Sequence, residues 1–185
     1  MPLSEPEARE PIHQRQISCR GFRRDDDLWD IEGHLVDTKT YTFPNRFRGE
    51  IKAGEPIHEM WLRLTLDDAL CIRSVEAKTD AGPFAQCPDI TDAFRRLEGL
   101  TIEPGFTQRV QELFRGPDGC THHVELVRSV AATAVQTLFA SRRDGKAARA
   151  QNGRPRFLDT CHALASDGPV VRDHWPKFYT GPEED

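Results

Sequence analysis

The stretch LWDIEGHLVDTKTY, residues 28–41, decides the class of fold. Its apolar side chains return at every second position, the period of a strand with one packed face, and not at the three-to-four spacing of a helix. Alternation puts Asp30, Glu32 and His34 on one face and Trp29, Ile31 and Leu35 on the other. The same period extends outward in both directions. Toward the N-terminus, QISCRGF (16–22) reads as a short strand, separated by the turn-like run Arg24 to Asp27. Toward the C-terminus, residues 45–56 carry Gly49, Gly54 and Pro56 and read as a loop. Ile57 to Leu66 and Leu70 to Lys78 then flank Asp67 and Asp68, which predicts a hairpin. Successive strands with short connections form an antiparallel meander, one face packed and one face wet.

After Pro83 the period changes. Residues 89–99 fit a short helix stopped by Gly99, with Ile90, Phe94 and Leu97 on one side. Phe106 to Phe114 fits a second, closed by Gly116. Thr121 to Arg142 fits the longest, because Val124, Val127, Ala131, Ala134, Val135 and Leu138 recur at helical spacing and require a surface to cover. A polar connector follows at 144–155, and Arg156 to Leu164 reads as a strand returning to the sheet. Strands first and helices afterwards predict an α+β fold. It is expected as a curved antiparallel β-meander in the N-terminal half, partly open and barrel-like, packed by two short helices and one long one. Residues 1–14 are polar and interrupted by proline, a flexible tail before a single domain at 15–185.

Composition narrows the function. The 185 residues carry a formal net charge of −5 with both signs interspersed, and no basic stripe persists, which argues against a nucleic-acid partner. No apolar run reaches the roughly 18–20 residues of a membrane span. The opening MPLSEPEAREPIHQR lacks the features of a secretory or transit segment, so the expected location is the cytoplasm. There the five cysteines, at 19, 71, 87, 120 and 161, would be reduced thiols, and their odd number opposes a disulfide framework.

The chemistry-bearing residues fall into four groups. On the first long strand, Asp30 or Glu32 lies on the face of His34, and an acid beside an imidazole sets its tautomer and raises its basicity. The plain alternative is the wet face of a sheet. His58 shares the apolar face with Met60, Leu62 and Leu64, either as a core residue or as the polar point of an apolar pocket. Trp61 and Arg63, on the opposite face, suit stacking on a planar ligand or clamping of a carboxylate, as well as ordinary surface roles. The helix opening Gly119-Cys-Thr-His-His-Val-Glu places Cys120 and His123 toward the seam and His122 beside Glu125. Cys161, His162 and Asp167 form a fourth group. Cys120-x-His122 and the adjacent Cys161-His162 lack the usual ligand gaps of structural zinc sites, so no metal is expected there. Phosphate loops, nucleophile elbows and dinucleotide fingerprints are absent, which predicts chemistry without an organic cofactor.

Several of these phrases occur together in one known family. CRGFRR (19–24), LWDIEGHLVDTK (28–39), GEPIHEMWLRLT (54–65), GCTHHVEL (119–126) and CHA (161–163) with SDGP (166–169) resemble the bacterial domain-of-unknown-function family 2889. The resemblance spans nearly the whole chain beyond the tail. It implies a bacterial protein built as one unit, whose polar motifs serve one site; it carries no activity.

Together these readings predict a lyase or isomerase acting by acid–base catalysis on a small aromatic or carbonyl-bearing compound. His34, oriented by Asp30 or Glu32, and His58 would move protons, with His122 and Glu125 closing the site. Trp29, Tyr41, Trp61, Arg63 and His162 would hold the substrate. A retro-aldol-type cleavage releasing a small aldehyde such as formaldehyde is the concrete form. Two other classes stand beside it: a non-catalytic small-molecule-binding module, and a metal-dependent hydrolase or deaminase built on the histidines and carboxylates. An exposed sheet edge is compatible with a homodimer.

Overall fold

The computed structural model of the chain describes residues 4–141, 153–155 and 157–182. The chain divides into two compact units, Met1–Leu138 and Phe139–Asp185. The first unit is a mixed α+β assembly. Strands β1 (His13–Arg23), β2 (Trp29–Lys39), β5 (Pro56–Leu66) and β6 (Ile72–Ala81) form one antiparallel sheet in the order β1-β2-β5-β6. Strands β3 (Phe43–Asn45) and β4 (Gly49–Ile51) pair as a separate hairpin. The 45–56 stretch read as a loop therefore contains strand structure, with Asn45 Oδ1 accepting from the amides of Phe47 and Arg48 to make the turn. The main sheet is open and does not close into a barrel.

Alternation along β2 appears directly in the burial. Trp29, Ile31, Gly33, Leu35 and Asp37 are buried, and the intervening residues are half-buried. The inner face meets a 3₁₀ segment at Cys87–Leu97, helix α1 (Phe106–Leu113) and helix α2 (Thr121–Ser141). These elements share one core with the sheet, including Ile31, Leu35, Leu62, Leu64, Phe94, Val110, Leu126 and Val130. Full burial of each such side chain contributes about 1.5–3 kcal/mol, which makes this layer the main source of stability. The first predicted helix is a 3₁₀ run, with Phe94 and Leu97 buried as its spacing required.

Among the described residues of the second unit the expected returning strand is not present. Residue 156 and residues 142–152, which include most of the expected connector at 144–155, lie outside the described residues. Residues 157–161 are turn and bend, and His162–Leu164 is a 3₁₀ turn. The Asp159 carboxylate accepts from the Ser166 amide (2.7 Å) and hydroxyl (2.7 Å), and the Asp159 amide donates to the Leu164 carbonyl (2.8 Å). Side-chain bonding of this local kind competes with an extended ladder and wins here. Helix α3 (Pro169–His174) follows.

Helix α2 crosses the sheet at glycine. A Cβ built on Gly33 would lie 2.5 Å from Val130 Cγ2 and 2.8 Å from Leu126 Cδ1, so nothing larger than hydrogen fits between strand and helix there. Gly33→Ala is accordingly expected to destabilise the protein by about 1–3 kcal/mol through overpacking. Denaturant titration should show a lower midpoint at unchanged slope, and a variant as stable as the parent would contradict this close seating of α2.

Candidate functional site

The two faces of the main sheet carry different polar groups, and they do not meet. On the outer face His34 stacks on Trp61, ring centroids 3.6 Å apart and planes 9° from parallel. Its Nε2 lies 3.1 Å from Glu59 Oε1. The register explains the stacking, since His34 opposes Trp61 across β2 and β5. Neither Asp30 nor Glu32 orients His34, contrary to expectation. Asp30 accepts from the Thr65 hydroxyl (2.7 Å) and from Arg24, while Glu32 accepts from Arg63 Nη2 (2.8 Å). Four and two residues along a strand are too far for those carboxylates to compete with partners directly across the ladder. Arg63 also donates to Glu76 (2.8 Å), and Trp61 Nε1 donates to Asp80 (2.8 Å). The groove beside Trp61 is lined by Glu32, Arg63, Lys78 and Asp80.

The remaining predicted ligand contacts are dispersed. Trp29 is a core residue on the inner face, its indole donating to Asp68 (2.9 Å), and so has no surface to offer a substrate. Tyr41 is exposed beyond the end of β2 and accepts from Lys39 (2.7 Å). His162 is an exposed residue of the second unit.

On the inner face a different set converges. Asp37 continues the buried parity of β2 and is 1 % exposed. Arg15, its partner across β1, grips it with two bonds: Nε to Oδ1 and Nη2 to Oδ2, both 2.7 Å. His58, its partner across β5, places Nδ1 3.0 Å from Oδ2. A bulge between Asp37 and Thr38 ends the regular pairing at this point. The start of α2 supplies His122, whose Nε2 lies 3.7 Å from Asp37 Oδ2 and whose ring stacks on His58 at 3.8 Å. Cys120 Sγ is 3.9 Å from the other nitrogen of His122, and His13 Nε2 is 3.4 Å from Asp37 Oδ1. Glu125, expected to partner His122, lies instead near enough to Arg15 to raise its pKa by charge. His123 turns into the core against Phe94, at 5.0 Å.

Electrostatics follow from burial and pairing. Burial pushes the Asp37 carboxyl up, but the bonds and charge of Arg15 and the neighbouring His58 outweigh it and hold the pKa below the ordinary value. Burial pushes His58 down, against the pull of Asp37. For His122, burial and then the charges of His58 and Arg15 bring the value down to about 4. His123 is lowered by burial as well. At neutral pH the centre is thus an ionised aspartate paired with arginine beside two uncharged imidazoles. An ionised carboxylate only accepts, so His58 Nδ1 carries the hydrogen toward Asp37 and Nε2 keeps its lone pair. The side chains of His58 and His122 are 16 % and 24 % exposed, which leaves them reachable.

Sequence reasoning finds His58 and His122 as candidates, names Cys120 at the helix opening without a role, and misses Asp37, Arg15 and His13. The signal that could have found the first of these is parity. An acid at an odd position of β2, in line with Ile31 and Leu35, is a charge on the apolar face, and such a charge needs a built partner.

Fold and site together define an α+β protein with a carboxylate–histidine centre at one end of an open sheet. A family model described as a protein of unknown function, DUF2889, matches residues 13–136, and the chain belongs to that family. The match covers all of the inner-face centre. No curated protein and no solved structure matches the chain. Among the described residues, no helix is long and apolar enough to cross a membrane.

The Arg15–Asp37 pair has a pH signature. Asp37 has a lowered pKa when folded, so its stabilisation is complete above the ordinary carboxylate range and fades as pH falls through the lowered value. Arg15→Met should destabilise the protein near neutrality by about 1–3 kcal/mol, leaving a buried carboxylate without its guanidinium counter-charge. The gap to the parent should shrink below about pH 4. Denaturant melts across pH test this; a gap that does not change with pH would assign the loss to packing.

Proposed function

We propose that this protein is an enzyme of the lyase or isomerase type that moves protons on a small aromatic or carbonyl-bearing compound without an organic cofactor. The observation that carries the reading is the Asp37–His58 bond of 3.0 Å, buried at the carboxylate and open at the imidazole. A carboxylate that accepts from Nδ1–H fixes the tautomer and favours the imidazolium that forms when Nε2 takes a proton. Arg15 keeps Asp37 ionised for this task, and His122, stacked on His58, is a second uncharged imidazole in reach of the same substrate. His34 is left out of the mechanism, since it faces the opposite side of the sheet.

In the retro-aldol form, His58 Nε2 removes the proton of a hydroxyl β to a carbonyl or an equivalent electron sink. The C–C bond breaks, its electron pair passes into the sink, and the former carbinol carbon leaves as an aldehyde. The proton held on His58 returns to the carbanion or its enolate. Atoms and electrons balance without an oxidant.

The test is a panel of hydroxymethyl-bearing aromatic and β-hydroxy carbonyl compounds incubated with the purified protein, with released aldehyde trapped by a hydrazine reagent. On a compound that turns over, His58→Ala should lower the rate by about 10²–10⁴, the usual contribution of a positioned base. Asp37→Asn should cause a comparable loss, and His34→Ala little change. Full activity in folded His58→Ala would sink the proposal. A compound that binds tightly but is recovered unchanged would favour the binding-module reading.

A further inference from the structure

The same three side chains have a geometry that suits more than a proton. Asp37, His58 and His122 each offer one donor atom, and the three atoms lie within 4.8 Å of one another. They come from three separate elements, β2, β5 and the start of α2, so the convergence is a tertiary feature and not an accident of neighbouring sequence. Two donors about 2.0–2.1 Å from a tetrahedral ion stand roughly 3.3 Å apart. Here Oδ2 of Asp37 is 3.0 Å from His58 Nδ1 and 3.7 Å from His122 Nε2, values that bracket that separation. Two imidazoles and one carboxylate with a position left over is a ligand set for zinc-class divalent ions. Arg15 does not block it. Its two bonds to Asp37 leave a lone pair on Oδ2 once the His58 hydrogen is displaced, and ligating carboxylates are commonly held by such an outer partner. Cys120 touches the far nitrogen of His122 and so stands behind that ligand, outside the set.

We propose that Asp37, His58 and His122 form a binding site for one divalent transition-metal ion of the zinc class. The ion takes the place of the hydrogen between Asp37 and His58. Loading it shifts the remaining hydrogen of His58 to Nε2 and removes the lone pair that the proton-transfer reading uses. A bound ion therefore switches that chemistry off. The switch rests on the proposed function; the binding site does not.

The experiment is a Zn²⁺ titration of the full chain after chelator treatment and dialysis, followed by calorimetry and by thermal melting. One ion per chain and a raised melting temperature are expected. Binding should be lost in His122→Gln and His58→Gln, and His34→Gln, whose residue sits on the opposite face, should bind as the parent does. Cobalt(II) in place of zinc should give a d–d absorption with no thiolate charge-transfer band, reporting nitrogen and oxygen ligands. If folded parent protein binds no zinc, or if both glutamine variants bind it unchanged, the site is refuted. Turnover present in the metal-free protein and suppressed by one equivalent of zinc supports site and switch together. Turnover only in the loaded protein would keep the site and overturn the proton-transfer reading. Turnover without any zinc binding would do the reverse.

Discussion

The buried carboxylate of Asp37 constrains everything placed around it. A charge taken out of water inside an apolar layer needs a counter-charge and hydrogen bonds of good geometry, or it loses several kcal/mol and protonates. Arg15 supplies the charge in a two-bond grip, and His58 and His122 surround what remains. Each comes from a different element, so the carboxylate ties β1 to β2, β2 to β5, and the sheet to the start of α2. Specific placement of these elements is what the carboxylate requires, whatever its net effect on stability.

The polar centre and the apolar core belong to one layer. Along β2 the same face carries Ile31 and Leu35 beneath the helices and Asp37 at the end. Gly33 lets α2 approach the strand closely, and that approach delivers the first turn of α2 to the end of the sheet. Packing therefore sets the distance between His122 and the strand pair, and a change in the core would be felt as a change at the site. The outer face follows other rules. There His34, Trp61, Glu32 and Arg63 find partners across the ladder, in an arrangement that a solvated sheet surface requires no function to explain.

Proton transfer and metal binding are two uses of the same lone pairs. A neutral imidazole that faces an ionised carboxylate across 3.0 Å holds either a hydrogen or an ion between them. Membership of the DUF2889 family covers the three donors without assigning either use. Both proposals draw on the inner-face cluster at one end of the sheet, and neither uses the outer-face histidine.

Local periodicity in the sequence determined the four long strands and the helical elements after them, the α+β class, and the parity of each long strand, but not the β3–β4 hairpin or the turns at 157–164. His58 on the apolar face and the polar company of His34 could be read from alternation alone, because side-chain direction on a strand depends only on the residue's own backbone. The partnerships could not. Which carboxylate meets which imidazole depends on strand order and register, and a slip of one residue reverses every face. Asp37 opposes His58 and Arg15 only because β2 lies between β1 and β5 in one particular register. His122 joins them only because α2 docks across Gly33. The short-range order of the chain dictated its long elements, and long-range pairing alone decided that the inner-face cluster is Asp37 with His58 and His122 rather than the triplet around His34.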